Sequence, residues 1–503
     1  MTTTKPVRTS NVANTLARSR LGTASVVFFV MAAAAPLTVT AGGATSGFAI
    51  TGSTGIPIAY LAVAAILAVF AVGYVAMSRH VVNAGAFYSY ISQGLGRPAG
   101  VAAAFIAVLA YNAMQIGLYG GFGAVLSGFL DQRFGVSVAW WLCALAGWAM
   151  VAVLGVLRVD INGRVLAIML LAEIAIAALF AVVMVAHPAE GGITFSTLSP
   201  GFLFSAWIGA ALVTAVTGFV GFEATVVFSE ETRDPKRTIA RATYIAVAVT
   251  GALYGLSAWA LTIATGPDNI VAAAQEHSTE LIFTLVQPHV GQFVVDLGHM
   301  LFITSLFAAL LSFHHTVGRY LFSLGREHVQ PGGLGNTSRR TGAPKAGSIT
   351  QSVLAFVVLV GFALARADPI VHLFFWVTVT GGLGVLILMT LTSAAVVCFF
   401  ARDRRGEPLW HRIAAPVLAT VALGGVLYLT VDQFAILLGV DPASPLRWAF
   451  PASFAFAAVL GLIWAGLLKT WRPDVYDTIG LGANAAPAAN PFADAAPMAE
   501  SRS

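Results

Sequence analysis

The stretch Gly218-Phe219-Val220-Gly221-Phe222-Glu223, continued by Ala224 to Phe228 and then by Ser229-Glu230-Glu231-Thr232-Arg233-Asp234-Pro235-Lys236-Arg237, decides how the chain is read. A predominantly apolar run extends from Phe202 to Phe228, long enough to cross a bilayer at ~20 residues per helix. Two glycines and a carboxylate interrupt it. Glycine weakens a helix by about 1 kcal/mol relative to alanine, and backbone freed from helical bonding in hydrocarbon is costly unless it lines a cavity. A membrane helix broken at this point predicts a binding site around the break.

The whole chain supports a membrane setting. Its 503 residues are 58% hydrophobic and 10% charged, with a mean hydropathy of +0.84. That composition excludes a water-soluble domain and indicates a polytopic protein whose surroundings are a lipid bilayer. Cys143 and Cys398 both lie in apolar runs and form no CxxC pair, so neither a disulfide framework nor a thiolate metal site is expected. The net charge of +5 does not imply a nucleic-acid partner, because the basic residues are scattered between apolar spans and report topology.

Hydropathy and charge divide the chain into twelve spans, near 22–49, 56–78, 100–129, 137–157, 164–186, 202–229, 242–265, 291–318, 347–365, 370–400, 413–439 and 448–468. With the N-terminus inside, 24 of the 27 Lys and Arg fall on the cytoplasmic side, and only Arg133, Arg366 and Arg447 fall outside. Both termini are therefore expected in the cytoplasm, and the protein in the plasma (inner) membrane. A basic start, an apolar stretch and the small run Ala32 to Ala35 also describe a signal peptide, but eleven further spans favour a retained first helix. Residues 1–21 read as a flexible cytoplasmic tail. Arg79 to Gly96 reads as a segment lying along the inner interface, Arg319 to Lys345 as a basic connection, and 474–503 as a disordered tail.

A second interruption lies in span one, Ala32-Ala33-Ala34-Ala35-Pro36-Leu37-Thr38-Val39-Thr40-Ala41-Gly42-Gly43. Proline lacks the amide hydrogen and clashes with the preceding turn, which predicts a kink near Pro36. Five spans separate the two breaks. Because five is odd, 22–186 and 202–400 are expected to be inverted repeats, with 413–468 an accessory pair. Half-helix N-termini attract a carboxylate, while unwound carbonyls accept bonds from an ammonium group, so two such breaks suit a zwitterion. The alternative is packing, since Gly and Pro are common in membrane helices.

These residues resemble the amino acid–polyamine–organocation (APC) superfamily of secondary transporters. Phe219-Val220-Gly221-Phe222-Glu223, Glu230-Glu231, Asp234-Pro235, Arg237, Ile239, Arg241 and Ala242 are similar to the family's sixth span and following loop, with Ala240 where proline is usual. Asn83-Ala84-Gly85-Ala86-Phe87-Tyr88-Ser89-Tyr90 with Gly94-Leu95-Gly96 resembles the loop after span two. Arg319 to Glu327, followed by Pro331 and Pro344, resembles the loop after span eight. Two departures stand out. Pro36-Leu37-Thr38 occupies the place of the usual G-x-G, and Glu173 falls where several proton-linked members carry lysine.

The resemblance implies an all-α membrane fold of about twelve helices, a 5+5 inverted repeat with helices one and six discontinuous and two accessory helices. It implies a substrate site at Ala34, Ala35, Pro36, Leu37 and Thr38 in the first break and at Thr217, Phe219, Val220, Gly221 and Phe222 in the second. Tyr111, Asn112 and Gln115 of span three and Thr378 and Thr380 of span ten are polar side chains expected to reach the substrate, or else to bond neighbouring helices. Phe219 and Phe222 are expected to gate the site. Glu173 and Glu223 are carboxyl groups within apolar spans, and intramembrane carboxyls are functional hypotheses by default. The pair is expected to carry the coupling proton, with the alternative that Glu223 ties span six to its neighbours.

His314-His315-Thr316 reads as closing span eight near the cytoplasm, with interfacial or capping roles. No metal-ligand spacing accompanies the two histidines, and no metal or other cofactor is expected. Thr304, Ser305 and Ser312 offer hydroxyls for a sodium site against span one, a minor reading. The expected function is secondary transport of an amino acid or related amine by alternating access. Proton-coupled uptake comes first and amino acid exchange is the alternative. A membrane-embedded enzyme lacks any nucleophile–base spacing, and a channel lacks a ring of charges. A neutral substrate fits the absence of an intramembrane basic residue.

Overall fold

The computed structural model describes residues 12–13, 22–157, 163–205, 207–338 and 342–482. Among the described residues, eleven helical segments are long and apolar enough to cross a membrane. The helix Trp140–Gly155 is apolar but has 16 residues, or ~24 Å at 1.5 Å per residue, and with it the segments match the twelve expected spans. The fold is all-α.

In chain order the structure begins with α1 (Thr23–Ala34), α2 (Ala44–Thr51), α3 (Ile56–Ser78), α4 (Phe87–Leu95), α5 (Arg97–Phe134), α6 (Trp140–Gly155) and α7 (Gly163–Ala186). There follow α8 (Ile208–Phe219), α9 (Pro235–Thr265), α10 (Ile270–His277), α11 (Leu281–Val286), α12 (Gln292–Arg326), α13 (Lys345–Leu364) and α14 (Val377–Arg402). The chain ends in α15 (Ala415–Asp432), α16 (Phe434–Leu438), α17 (Leu446–Trp471) and α18 (Pro473–Thr478).

Local chemistry explains several ends. Asp234 accepts the Arg237 amide at 3.3 Å and Pro235 opens the first turn, so α9 starts at the Asp-Pro pair rather than at residue 242. Span six begins as helix only at Ile208, because Pro200–Phe204 forms a separate 3₁₀ turn. The long α5 lies at the centre, packed against α12, α14 and α17.

Both expected breaks are present. In span one the helix ends at Ala35, which takes a left-handed conformation (φ 43°, ψ 70°), and not at Pro36. Proline instead starts the next helical stretch, where its missing amide costs little, and a wide π-helical turn, Thr38–Gly43, leads into α2. In span six, α8 stops at Phe219, Val220 is extended, and Gly221 has φ 122° before the short turns Phe222–Thr225 and Ser229–Glu231. A Cβ on Gly221 would stand 2.5 Å from the Ala33 Cβ, so the two breaks touch where only glycine fits.

Three expectations about connections need correction. The segment placed along the inner interface is instead inside the protein: Phe87, Tyr88, Tyr90 and Ile91 on α4 are fully buried, against α5 and α14. Its aromatic residues face other helices, because both neighbours present apolar faces to it. His314 and His315 do not close span eight at an interface, since α12 runs on to Arg326 and both imidazoles are buried. The C-terminal segment expected to be disordered from 474 starts as α18, with Val475 and Ile479 buried, and is seated as far as Gly482. The remainder of that tail lies outside the described residues. Of the N-terminal tail, Val12–Ala13 pairs antiparallel with Thr337–Ser338.

Candidate functional site

The two breaks line one cavity of about 50 Å³. Span one contributes Ala33, Ala34, Ala35, Thr38, Val39 and Gly43, and span six contributes Thr214, Thr217, Gly218 and Val220. Met114 and Leu118 of α5, Ala309 and Phe313 of α12, and Phe374, Phe375, Thr378 and Val379 of span ten complete the wall. Among the described residues no charged side chain lines it. Its hydroxyls are already engaged: Thr214 donates to the Ala210 carbonyl at 2.9 Å, Thr217 to Val213 at 2.8 Å and Thr378 to Phe374 at 2.5 Å.

Of the residues expected at the site, Ala34, Ala35, Thr38, Thr217, Val220 and Thr378 meet at this cavity. The others lie elsewhere. Pro36 and Leu37 are behind the wall, with Leu37 turned to α7. Asn112 donates to its own helix at Val108, 2.6 Å, and Thr380 to Trp376, 2.7 Å. Gln115 joins a buried network on the far side of α5, donating to the Tyr119 hydroxyl at 3.2 Å, contacting His314 Nδ1 at 3.2 Å and accepting from Gln351. Phe219 packs on Tyr254, with ring centroids 5.4 Å apart, and Phe222 on Phe70 at 6.0 Å, so the structure turns both aromatics away from the cavity. Gly221 lies under Ala33.

The two carboxyls have different surroundings. Glu223 is wholly buried: Oε1 accepts the Tyr111 hydroxyl at 2.7 Å and Oε2 accepts the Gly221 amide at 2.9 Å. The Tyr74 hydroxyl donates to the Glu223 carbonyl at 2.8 Å. Tyr111 is thereby held on Glu223, away from the cavity. This carboxyl satisfies the Gly221 amide and ties span six to α5, while the Glu223 carbonyl ties it to α3.

Glu173 of α7 reaches across to the other break. Its Oε1 accepts the Leu37 amide at 2.6 Å and the Ser305 hydroxyl at 2.5 Å. Ser305 in turn accepts from the Thr38 amide at 3.2 Å and lies 2.9 Å from the Thr38 hydroxyl. Thr38 lines the cavity. A line of hydrogen bonds therefore runs from the cavity wall through Ser305 of α12 to the Glu173 carboxyl. The amides that Pro36 and the left-handed Ala35 leave unpaired are the ones this line satisfies.

A sequence profile for the family described as Amino acid permease matches residues 21–465. The chain belongs to that family. No curated protein matches it significantly. The match spans both breaks and the whole cavity, and it makes the protein an APC-superfamily permease, a multi-pass membrane transporter of amino acids. The family points to transport rather than to an enzymatic reaction.

Two ion pairs link the segment after span six to α12. Glu231, after span six, takes a two-point bond from the Arg319 guanidinium at 2.7 and 3.2 Å, with both side chains buried. Arg319 also lies 4.6 Å over the Phe228 ring. Glu230 pairs with Arg326 at 2.8 Å and accepts the Ala84 amide at 3.0 Å. Among the described residues no group of three or more His, Cys, Asp or Glu is placed to hold a metal.

Sequence reasoning missed the apolar wall. Met114 and Leu118 follow Tyr111 at helical spacing, and Phe374 and Thr378 are one turn apart, so a stripe drawn from each polar candidate would have reached them. It also left Ser305 in a sodium reading without its carboxyl partner.

Proposed function

We propose that the permease is a proton-coupled symporter of neutral amino acids, working by alternating access in the plasma membrane with both termini in the cytoplasm. The observation that carries the proposal is the line Thr38–Ser305–Glu173. An amino acid in the cavity is bounded by unwound backbone of spans one and six, the arrangement that suits a carboxylate and an ammonium group. Thr38 registers its presence. The Glu173 carboxylate accepts two bonds on one oxygen; when it takes up a proton its acceptor capacity falls and it gains a donor, so its hold on Leu37 and Ser305 changes. Span one is then free to shift against α7 and α12. Substrate and proton thus act on the same break from opposite sides, which is what coupling requires: each ligand must favour one conformation over the other. The Glu231–Arg319 and Glu230–Arg326 pairs are the closed inner gate in this reading, since they bridge the segment after span six and α12. The placement of the breaks five spans apart supports the inverted repeats 22–186 and 202–400.

The wall supports the substrate class. With no charged side chain on it and with three of its four hydroxyls, those of Thr214, Thr217 and Thr378, donating to backbone carbonyls, a polar substrate side chain would lose its water and gain few donors in return, a cost of about 1–3 kcal/mol. Leu118, Met114, Phe313, Phe374 and Val379 suit an apolar side chain instead. Uptake of labelled amino acids into proteoliposomes, with and without an inward proton gradient, tests both parts. Gradient-driven accumulation of neutral apolar amino acids supports the proposal. Uptake only against internal amino acid would make the permease an exchanger.

A further inference from the structure

The last described residues are bound as a strap across the end of the bundle that holds the ion pairs. After α18 the chain turns back, and the amides of Gly480 and Gly482 donate to Glu327, to Oε2 and Oε1 respectively, each at 2.7 Å. Glu327 is 1% exposed. Its Oε2 also accepts the Tyr88 hydroxyl, and its Oε1 accepts Asn83 Nδ2 at 3.3 Å. Further along, Gln93 donates to the Gly480 carbonyl at 3.2 Å, and Arg97 bonds the Asp477 carboxylate at 2.7 Å and its carbonyl at 2.9 Å.

The two glycines fit their places for two reasons. Gly480 and Gly482 have φ 80° and 61°, the left-handed region that favours glycine. A Cβ would stand 2.7 Å from the Ser92 Cβ at Gly480 and 2.5 Å from Asn83 Nδ2 at Gly482. An unattached tail has no reason to meet either constraint.

The contacts converge on the gate. Glu327 follows Arg326, which holds Glu230, and the turn that supplies Asn83 also supplies the Ala84 amide that Glu230 accepts. We infer that residues 473–482 form a latch: seated on Glu327 and the Asn83 turn, they fix the two elements that hold Glu230 and so keep this end of the permease closed. Release of the strap frees the turn and the end of α12, and opening becomes easier. The inference rests on the reading of the ion pairs as a gate.

The test reads gate opening directly. In a full-length chain with Cys143 and Cys398 replaced by serine, Ser229→Cys places one thiol in the buried segment beside Glu230. Its alkylation rate is measured in the parent, in Gly480→Val/Gly482→Val, and in Arg97→Ala, which removes the contacts of Arg97 with Asp477 and with the Tyr476 ring. Loss of charge-assisted bonds to Glu327 predicts a rate about tenfold higher in the double variant, a smaller rise in Arg97→Ala, and the parent rate in Gly466→Ala, which faces open space. Equal rates in parent and strap variants would overturn the latch. Should the double variant not fold, Arg97→Ala decides alone. Amino acid uptake by the parent, measured in parallel, separates failure of the latch from failure of the transport reading.

Discussion

The Glu173 carboxylate accepts the Leu37 amide at 2.6 Å, across 136 positions of sequence. Leu37 follows the proline that restarts span one after the break at Ala35, so a carboxyl from span five completes a break made in span one. The same oxygen takes the Ser305 hydroxyl at 2.5 Å, which makes Ser305 the link to the cavity residue Thr38.

Replacing Ser305 with alanine removes that link and leaves the Leu37 bond. The account expects Ser305→Ala to bind substrate and to lose much of the pH dependence of uptake. Binding is read by thermal shift with a neutral amino acid, and uptake by flux across a range of external pH. A pH profile unchanged from the parent would exclude Ser305 from the coupling path.

Gly221 holds the second break. Its φ of 122° and the 2.5 Å approach of a Cβ to Ala33 act together, and left-handed strain plus overpacking costs on the order of 2–4 kcal/mol. Gly221→Ala should therefore lower the thermal midpoint markedly and abolish transport. Gly466→Ala, with nothing near it, should do neither. A Gly221→Ala permease of parent stability would show that the breaks do not need this contact.

The Glu231–Arg319 pair is buried on both sides. Removing one partner leaves an uncompensated charge, which costs about 3–5 kcal/mol. Arg319→Gln is expected to destabilise the contact between the segment after span six and α12 and, if the pair is the proposed gate, to raise labelling of residues beneath it. Glu231→Gln/Arg319→Gln should recover part of the loss, measured as a double-mutant cycle of thermal stability. Additive single losses would mean that the two groups do not act as a pair.

Between α14 and α15, Glu407 joins the end of α3: Arg79 bonds it at 3.0 and 3.1 Å, and His411 lies at 3.2 Å. Burial raises its carboxyl, but the His411 bond and the Arg79 charge outweigh that and hold it below the usual range. A depressed folded value means stability present above the unfolded value and lost as pH falls through the folded one. Because Arg79 is 35% exposed, the contribution stays near or below about 1 kcal/mol. Glu407→Gln should thus be slightly less stable than the parent near neutral pH, with the gap closing as pH falls below the ordinary glutamate value. A gap that widens on acidification would contradict the assignment.

Much of this was legible in the sequence, for physical reasons. Twenty-residue apolar runs are expected to be helices in hydrocarbon, and Pro36 and Gly221 announce breaks because proline lacks the amide that bonds the preceding turn and glycine readily takes positive φ. What a side chain touches across helices was less legible. Polar residues were assigned to the substrate by type, yet Tyr111, Asn112 and Gln115 all bond protein groups, because a hydroxyl or amide in an apolar interior takes the nearest partner. Phe219 and Phe222 flank the break in sequence but extend from its far side. The order in α18 was hidden by its composition: its anchors are two glycine amides on a glutamate more than 150 positions away, and no local pattern encodes such a contact.

The most direct test of the central claim is uptake of a labelled neutral amino acid into proteoliposomes of the parent and Glu173→Gln permease, with and without an inward proton gradient. The account predicts that the gradient drives accumulation by the parent, while Glu173→Gln still exchanges the amino acid across the membrane but gains nothing from the gradient. Accumulation by Glu173→Gln equal to the parent under the same gradient would contradict it.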